Sequence, residues 1–246
     1  MIIQSSSNPK VKMLRSLFTK KGREEFGFFV VEGVNMVRDI PNQSIVSFYF
    51  VNEKKKDILE TFEKNEDAEV VVLSDDLFER VAETVTPSGL IAVCKIQSET
   101  YWQKSKRLII LDGVSDPGNV GTIIRSAGAV GFDAVLLFNS ADPYSPKCVR
   151  STMGGIFRTK IFTLSYEDFD WKEDVYLLDM NGVNIFDEKP NECYAVVVGS
   201  EAKGASEFFR NRANKTLSIP MKNNTESLNA GVSASLSMYI LEHNRR

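Results

Sequence analysis

Short unbroken apolar runs alternate along this chain with longer stretches in which apolar residues recur every three or four positions. In the first part, FGFFVVEG (26–33), SIVSFYFV (44–51), EVVVL (69–73) and GLIAVCKI (89–96) have the length and β-branched content of strands. Between them, NEKKKDILETFEKN (52–65) puts Ile58, Leu59 and Phe62 at helical spacing. SDDLFERVAE reads as a helix with Ser74 as N-cap, acids in its first turn, and Leu77, Phe78 and Val81 on one face. A polar, weakly patterned linker at 97–105 follows. Beyond it come RLIILD (107–112), FDAVLLF (132–138), DVYLLDM (174–180), YAVVVGS (194–200) and TLSIP (216–220), again as strands. Helices are expected at TIIRSAGAVG, near 205–212 and near 226–243. Strands separated by helices predict an α/β class in two domains, 1–98 and 106–246. Several runs are apolar throughout, the pattern of parallel strands buried on both faces.

Composition narrows the chemistry. Hydrophobic residues make up 43% and charged residues 26% of the 246 positions, which excludes wholesale disorder. No run approaches the ~18 apolar residues of a membrane span, and MIIQSSSNPKVK lacks the apolar core of a signal peptide. Cys94, Cys148 and Cys193 lie far apart without a CxxC pair, so neither a disulfide framework nor a cysteine zinc site is indicated. The single histidine, His243, stands near the end of the sequence. That position does not suit a Ser-His-Asp or Cys-His nucleophile system, or a histidine metal site. The expectation is a cytoplasmic protein with reduced thiols, no membrane partner and no metal.

The net charge of -3 does not suggest a nucleic-acid binder, but its distribution says more. Residues 1–23 carry Lys10, Lys12, Arg15, Lys20, Lys21 and Arg23 with no acid, whereas 24–96 carry seven basic and fifteen acidic residues. Lys147, Arg150, Arg158 and Lys160 form a second basic island, and 203–222 hold five basic residues against Glu207 alone. Basic islands on an acidic body suit a polyanion touching selected faces; they equally suit plain solvation.

In open α/β sheets ligands bind beyond the C-terminal ends of strands. Three loops follow such ends: 112–121, 200–204 and 221–229. The first, DGVSDPGNVG, matches neither GxGxxG nor GxxxxGK[ST], which counts against a dinucleotide fold and against a P-loop. Asp116-Pro117-Gly118-Asn119 reads as a turn, with Asn119 as N-cap of the next helix. Arg125 interrupts the apolar run that follows, fitting either a helix-face ion pair or an arginine aimed at a polyanion. Glu201 after VVVGS either organises its loop or contacts a ligand, and Ser227, Leu228 and Asn229 carry capping chemistry or a site.

Taken together, these segments resemble the SpoU (TrmH) family of RNA 2′-O-ribose methyltransferases, in the SPOUT superfamily. LDGVSDPGNVGTIIRSAGAVGFDAVLL is similar to its first motif, VVVGSEAKGAS to its second and LSIPMKNNTESLNAGVSASLSMYIL to its third. DPYSPKCVRSTMGGIF resembles a segment between the first two, and NPKVKMLRSL with FFVVEGVNMVRDI resembles the family's L30e-like RNA-binding domain. Ser200 stands where many members have asparagine, and Ala230-Gly231 where Val-Ser is common.

The resemblance implies an L30e-like N-terminal α/β domain and a SPOUT catalytic domain with a C-terminal trefoil knot. It implies S-adenosyl-L-methionine as methyl donor, held by backbone at Gly199, Ile219 and Leu228, and a homodimer. Asn119, Arg125, Glu201, Ser227 and Asn229 take the catalytic positions. Lys10, Lys12, Arg15, Lys20, Lys21, Arg23, Lys147 and Arg150 become candidates for RNA phosphate contacts. The extra N-terminal domain resembles ribosomal RNA enzymes more than the compact transfer RNA enzymes. A transfer RNA methyltransferase, a non-catalytic RNA-binding relative and a nucleotide-dependent metabolic enzyme are the alternatives.

Overall fold

The computed structural model describes residues 1–97, 101–223 and 227–245. Residues 98–100 of the expected linker and residue 226 at the start of the expected last helix lie outside the described residues. The chain forms two compact units, one of 1–98 together with 144–154 and one of 99–143 with 155–246.

The first unit runs β1 (Ile2–Ile3), α1 (Pro9–Ser16), α2 (Lys20–Phe26), β2 (Phe28–Glu32), α3 (Val34–Arg38), β3 (Val46–Asn52), β4 (Glu69–Leu73), α4 (Asp75–Val81) and β5 (Leu90–Lys95). Its sheet has the order β1-β4-β3-β5-β2, with β5 antiparallel to both β2 and β3 and the remaining pairs parallel. Val11, Leu14 and Leu17 recur at helical spacing on and just past α1. They join Leu77, Phe78 and Val81 of α4 over the sheet residues Val30, Phe50, Val71 and Ile91. Burying this set removes each side chain from water, worth roughly 1.5–3 kcal/mol apiece before chain entropy is charged.

The second unit contains β6 (Arg107–Asp112), α5 (Pro117–Val130) and β7 (Ala134–Phe138). After α6 (Pro146–Thr152), which packs with the first unit, it continues through β8 (Lys160–Thr163), β9 (Asp174–Asn184), β10 (Tyr194–Gly199), α7 (Glu207–Arg210), β11 (Lys215–Ser218) and α8 (Ala230–Arg245). All strand pairs are parallel, in the order β11-β9-β10-β6-β7-β8. The chain moves outward from β6 through β7 to β8, then crosses to fill the other side. The boundary between β6 and β10 is therefore the switch point where such sheets open a crevice. β6, β7 and β10 are buried almost throughout, as their unbroken apolar runs require. One face of the sheet carries an aromatic cluster in which Trp102 stacks on Phe169 and Phe138 on Tyr166.

Several expectations are corrected. The segment 52–65 does not form a helix: Glu53–Glu60 is a run of 3-10 turns broken at Lys55, and none of its residues is buried. Three apolar residues do not supply a stripe wide enough to stabilise a helix by packing. Asn65 instead ties the segment down: its side chain donates to the Val46 carbonyl, and its backbone N–H donates to the Tyr49 hydroxyl oxygen. Ser74 holds the N-cap position of α4 without a side-chain cap bond. Apart from these corrections, the segment 144–154 groups by its contacts with the first unit. Cys148 and Val149 of α6 are buried there, and Tyr144 packs its ring 5.1 Å from that of Phe29.

Candidate active site

α5 begins earlier than expected, and this matters for chemistry. Its N-cap is Asp116, whose side chain accepts from the Asn119 N–H at 3.0 Å, with Pro117 in the first turn. Asn119 is thus inside the helix, and its amide side chain is released from capping duty. That side chain donates from Nδ2 to Glu201 Oε1 at 2.6 Å and accepts at Oδ1 from Asn229 Nδ2 at 2.8 Å. Asn229 in turn accepts from the Val232 N–H at 3.2 Å through Oδ1, and so caps α8. The capping read from the sequence at 227–229 is made by Asn229, which also lines a cavity.

Three loops thereby join in a single directed chain, Asn229 to Asn119 to Glu201. Both bonds of the Asn119 amide are spent on holding the other two side chains. Glu201 receives a hydrogen bond on one oxygen, which leaves the other as acceptor for a ligand.

Glu201 and Asn229 lie on the wall of a cavity of about 560 Å³ at the C-terminal ends of β9, β10 and β11. Gly199, Ile219, Ser227 and Leu228 line the same cavity. Gly199 must be a glycine there: an added Cβ would sit 2.1 Å from the Ala205 nitrogen. The backbone of Gly204–Ala205 folds directly over the end of β10, and Ser200 and Gly204 exchange both backbone hydrogen bonds, at 3.0 and 2.9 Å. The volume falls in the range of small-molecule sites, roughly 300–1,000 Å³.

Arg125 stands apart. It is six residues beyond Asn119, about 9 Å along the axis of α5 and turned well away from it. It is exposed, makes no ion pair among the described residues and does not line the cavity. Its backbone is packed by Gly155, where a Cβ would approach Arg125 Cα to 2.9 Å. Of the five expected catalytic positions, Glu201, Ser227 and Asn229 line the cavity, Asn119 braces two of them, and Arg125 faces outward.

Further residues hold the site and were not singled out in the sequence. Asp112, at the end of β6, is only 3% exposed and accepts from the Ser206 N–H and from the Tyr166 hydroxyl, each at 2.6 Å. Burial, with the Asp112 carboxylate adding to it, pushes the Tyr166 phenol up, so it serves as donor. Arg210 donates to the Ala205 carbonyl at 3.0 Å and pairs with Asp179 at 3.4 Å, at the cavity wall. The only sequence signal for these is a polar residue at a strand end.

The basic residues of the first unit divide sharply. Lys12, Arg15, Lys20 and Lys21 are exposed on or beside α1 and α2, and Lys20 lies 3.7 Å from Glu24. Lys10 pairs with Glu69. Arg23 differs from these: it is 4% exposed and donates to the Leu17 carbonyl at 2.6 Å. On α6, Lys147 is exposed, and Arg150 Nη1 is buried with no hydrogen-bond partner among the described residues.

Comparison with known proteins fits this geometry. The model of the SpoU rRNA Methylase family matches residues 106–239, and that of the MRM3-like substrate binding domain matches 8–92. The chain is 32% identical to the 23S rRNA (guanosine(2553)-2′-O)-methyltransferase RlmP of Bacillus subtilis (strain 168), covering 97% of this chain and 98% of that one. It is 29% identical over 70% of its length to a 23S rRNA (uridine(2479)-2′-O)-methyltransferase of Streptomyces viridochromogenes, 66% of which is covered. In fold it resembles the SpoU methyltransferase AviRb from that organism, solved in complex with the cofactor AdoMet. The TM-score is 0.86 at 24% identity, covering 97% of this chain and 98% of that one.

Proposed function

The chain belongs to the SpoU rRNA methylase family, and from that membership we propose that it is an S-adenosyl-L-methionine-dependent ribosomal RNA 2′-O-ribose methyltransferase. The observation that carries the reading is the Asn229–Asn119–Glu201 chain, whose two ends lie on the wall of a cavity at the C-terminal ends of β9, β10 and β11. Gly199, Ile219 and Leu228 hold the donor through their backbone, on the cavity wall that all three line. The donor supplies an electrophilic sulfonium methyl, so the protein's task is the nucleophile.

A ribose hydroxyl is a poor nucleophile until its proton is lost or its oxyanion stabilised. Arg125 supplies that stabilisation and orients the neighbouring phosphate through its planar fork. A guanidinium does not give up its proton near neutral pH, so it is not the base. Glu201, Ser227 and Asn229 shape the cavity wall on which the reacting groups meet, and Asn119 fixes Glu201 and Asn229.

The exposure of Arg125 outside the cavity supports a site completed by a second copy of the chain. Val232, Leu236 and Tyr239 make an exposed apolar stripe along α8, 41–56% accessible, that suits burial in a homodimer. Threading of the C-terminal loops as a trefoil knot belongs to the same reading. It is supported by the late strand β10 entering between β6 and β9 while α8 returns against α5, Ser235 bonding Ser126 at 2.7 Å. In the first unit Lys12, Arg15, Lys20, Lys21 and Lys147 contact RNA phosphates, with Lys10 and Arg150 at the margin. A cytoplasmic location completes the reading, supported by relatives named for modification of ribosomal RNA. Among the described residues no helix is long and apolar enough to cross a membrane.

The test is methyl transfer from radiolabelled S-adenosylmethionine to 23S ribosomal RNA, with the modified ribose mapped by mass spectrometry of nuclease fragments. A 2′-O-methyl nucleotide at one position is expected. Donor consumption with transfer RNA alone, or no transfer to any RNA, would overturn the assignment.

A further inference from the structure

We propose that Asp112 and Tyr166 are positioning residues that set the donor side of the cavity by clasping the 200–206 loop. The inference rests on the methyltransferase reading and adds to it the groups that keep the second strand-end loop in place.

Ser200 and Gly204 close the loop's turn by exchanging backbone hydrogen bonds, but its far end is held from outside, by Arg210 on the Ala205 carbonyl and by Asp112 on the Ser206 N–H. The loop leaves β10 at Gly199, turns through Ser200–Gly204, and passes back over the strand end so closely that no side chain fits beneath it. Gly204 itself sits at φ +68, a conformation that costs L-residues strain. Its far end is the Ser206 N–H, and that group is tied to a carboxylate on another strand. Asp112 Oδ2 accepts it at 2.6 Å, while Oδ1 accepts the Tyr166 hydroxyl at 2.6 Å.

Both bonds are charge-assisted and short, and the carboxylate is almost wholly removed from water, which strengthens them. Tyr166 is in turn packed between aromatic rings, stacked 5.5 Å from Phe138 and tilted against Phe208 at 4.8 Å. β6 and β10 pair in register up to Asp112 and Gly199. The clasp therefore crosses from the end of one central strand to the loop leaving its neighbour. Releasing it loosens the Gly199 and Gly204 backbone, which lines the cavity, while Glu201 keeps its hydrogen bond from Asn119.

The experiment uses full-length protein and the variants Tyr166→Phe, Asp112→Asn and the double substitution. Donor affinity is read by calorimetry with S-adenosylhomocysteine, and kcat and both KM values by methylation of 23S RNA. Tyr166→Phe keeps the stacked ring and loses one hydroxyl. We expect its donor KM and Kd to rise about five- to tenfold with kcat within about twofold and RNA KM unchanged. Asp112→Asn should cost more, and the double variant no more than Asp112→Asn alone, because both act through one carboxylate.

Unchanged donor affinity in both single variants overturns the proposal. So does a loss in Tyr166→Phe shared equally by kcat, donor KM, RNA KM and melting temperature, which would mark a merely structural contact. Wild-type protein that binds neither donor nor product would instead sink the methyltransferase reading itself.

Discussion

The two units use the same α/β ingredients to different ends. The first builds a mixed sheet in which β5 runs against both its neighbours, and Lys12, Arg15, Lys20 and Lys21 are exposed on α1 and α2. The second builds an all-parallel sheet whose strand ends all point one way, so the segments that follow β10 and β11 line one cavity and Asn119 of α5 is hydrogen-bonded to both. Parallel order requires crossovers, and crossovers bring distant parts of the chain to the same edge. Glu201 and Asn229 are 82 and 110 positions from Asn119 along the chain, yet both lie within hydrogen-bond distance of it. The contrast teaches where each kind of residue has to be: phosphate contacts tolerate a solvated helix face, whereas group transfer requires convergent loops.

The largest effect expected from this contrast is at Arg125. Arg125→Lys keeps the charge and loses the fork, and its kcat should fall about a hundredfold while donor affinity stays within about twofold. Near-normal turnover would remove the bidentate role. Asn119→Ala comes next: it strips Glu201 and Asn229 of their shared partner and should lower kcat/KM about tenfold in the same methylation assay. Gly199→Ala should lower stability by about 1–3 kcal/mol through overpacking against Ala205, seen as a reduced Tm, and weaken donor binding measured by calorimetry.

The smallest effect belongs to the first unit. Replacing Lys12, Arg15 and Lys21 together by alanine should reduce the slope of log affinity against log salt by about two, with donor affinity unchanged. Arg23→Ala, in the same stretch of sequence, should leave that slope alone and lower Tm, because its guanidinium is buried on the Leu17 carbonyl. A salt slope that responds to Arg23 but not to the exposed trio would erase the distinction between the two kinds of basic residue.

Most strands are legible in the sequence because few structures other than a central parallel strand bury a short apolar run on both faces. β6, β7 and β10 lie where their runs predict them. The segment 52–65 misleads because spacing alone does not report whether a partner surface exists to bury the face. Arg23 stands apart only in the structure, because a run of basic residues carries no record of which one turns inward. Asn119 reads as a cap although Asp116, three residues earlier, does the capping. Both side chains satisfy the local rule, and only the helix start decides between them.

What the amino-acid order determined by itself is local: apolar runs that must leave water, the glycines and prolines of the turns, and motifs in their order. What tertiary structure decided is which of those loops share a space. Asp112 became a clasp only because β10 pairs with β6 and brings Ser206 to its carboxylate, and Arg125 was left outside because α5 presents Asn119 on another face. Burial and hydrogen bonding act through space, and the distance between two residues along a chain says almost nothing about the distance between their side chains once a parallel sheet has crossed over.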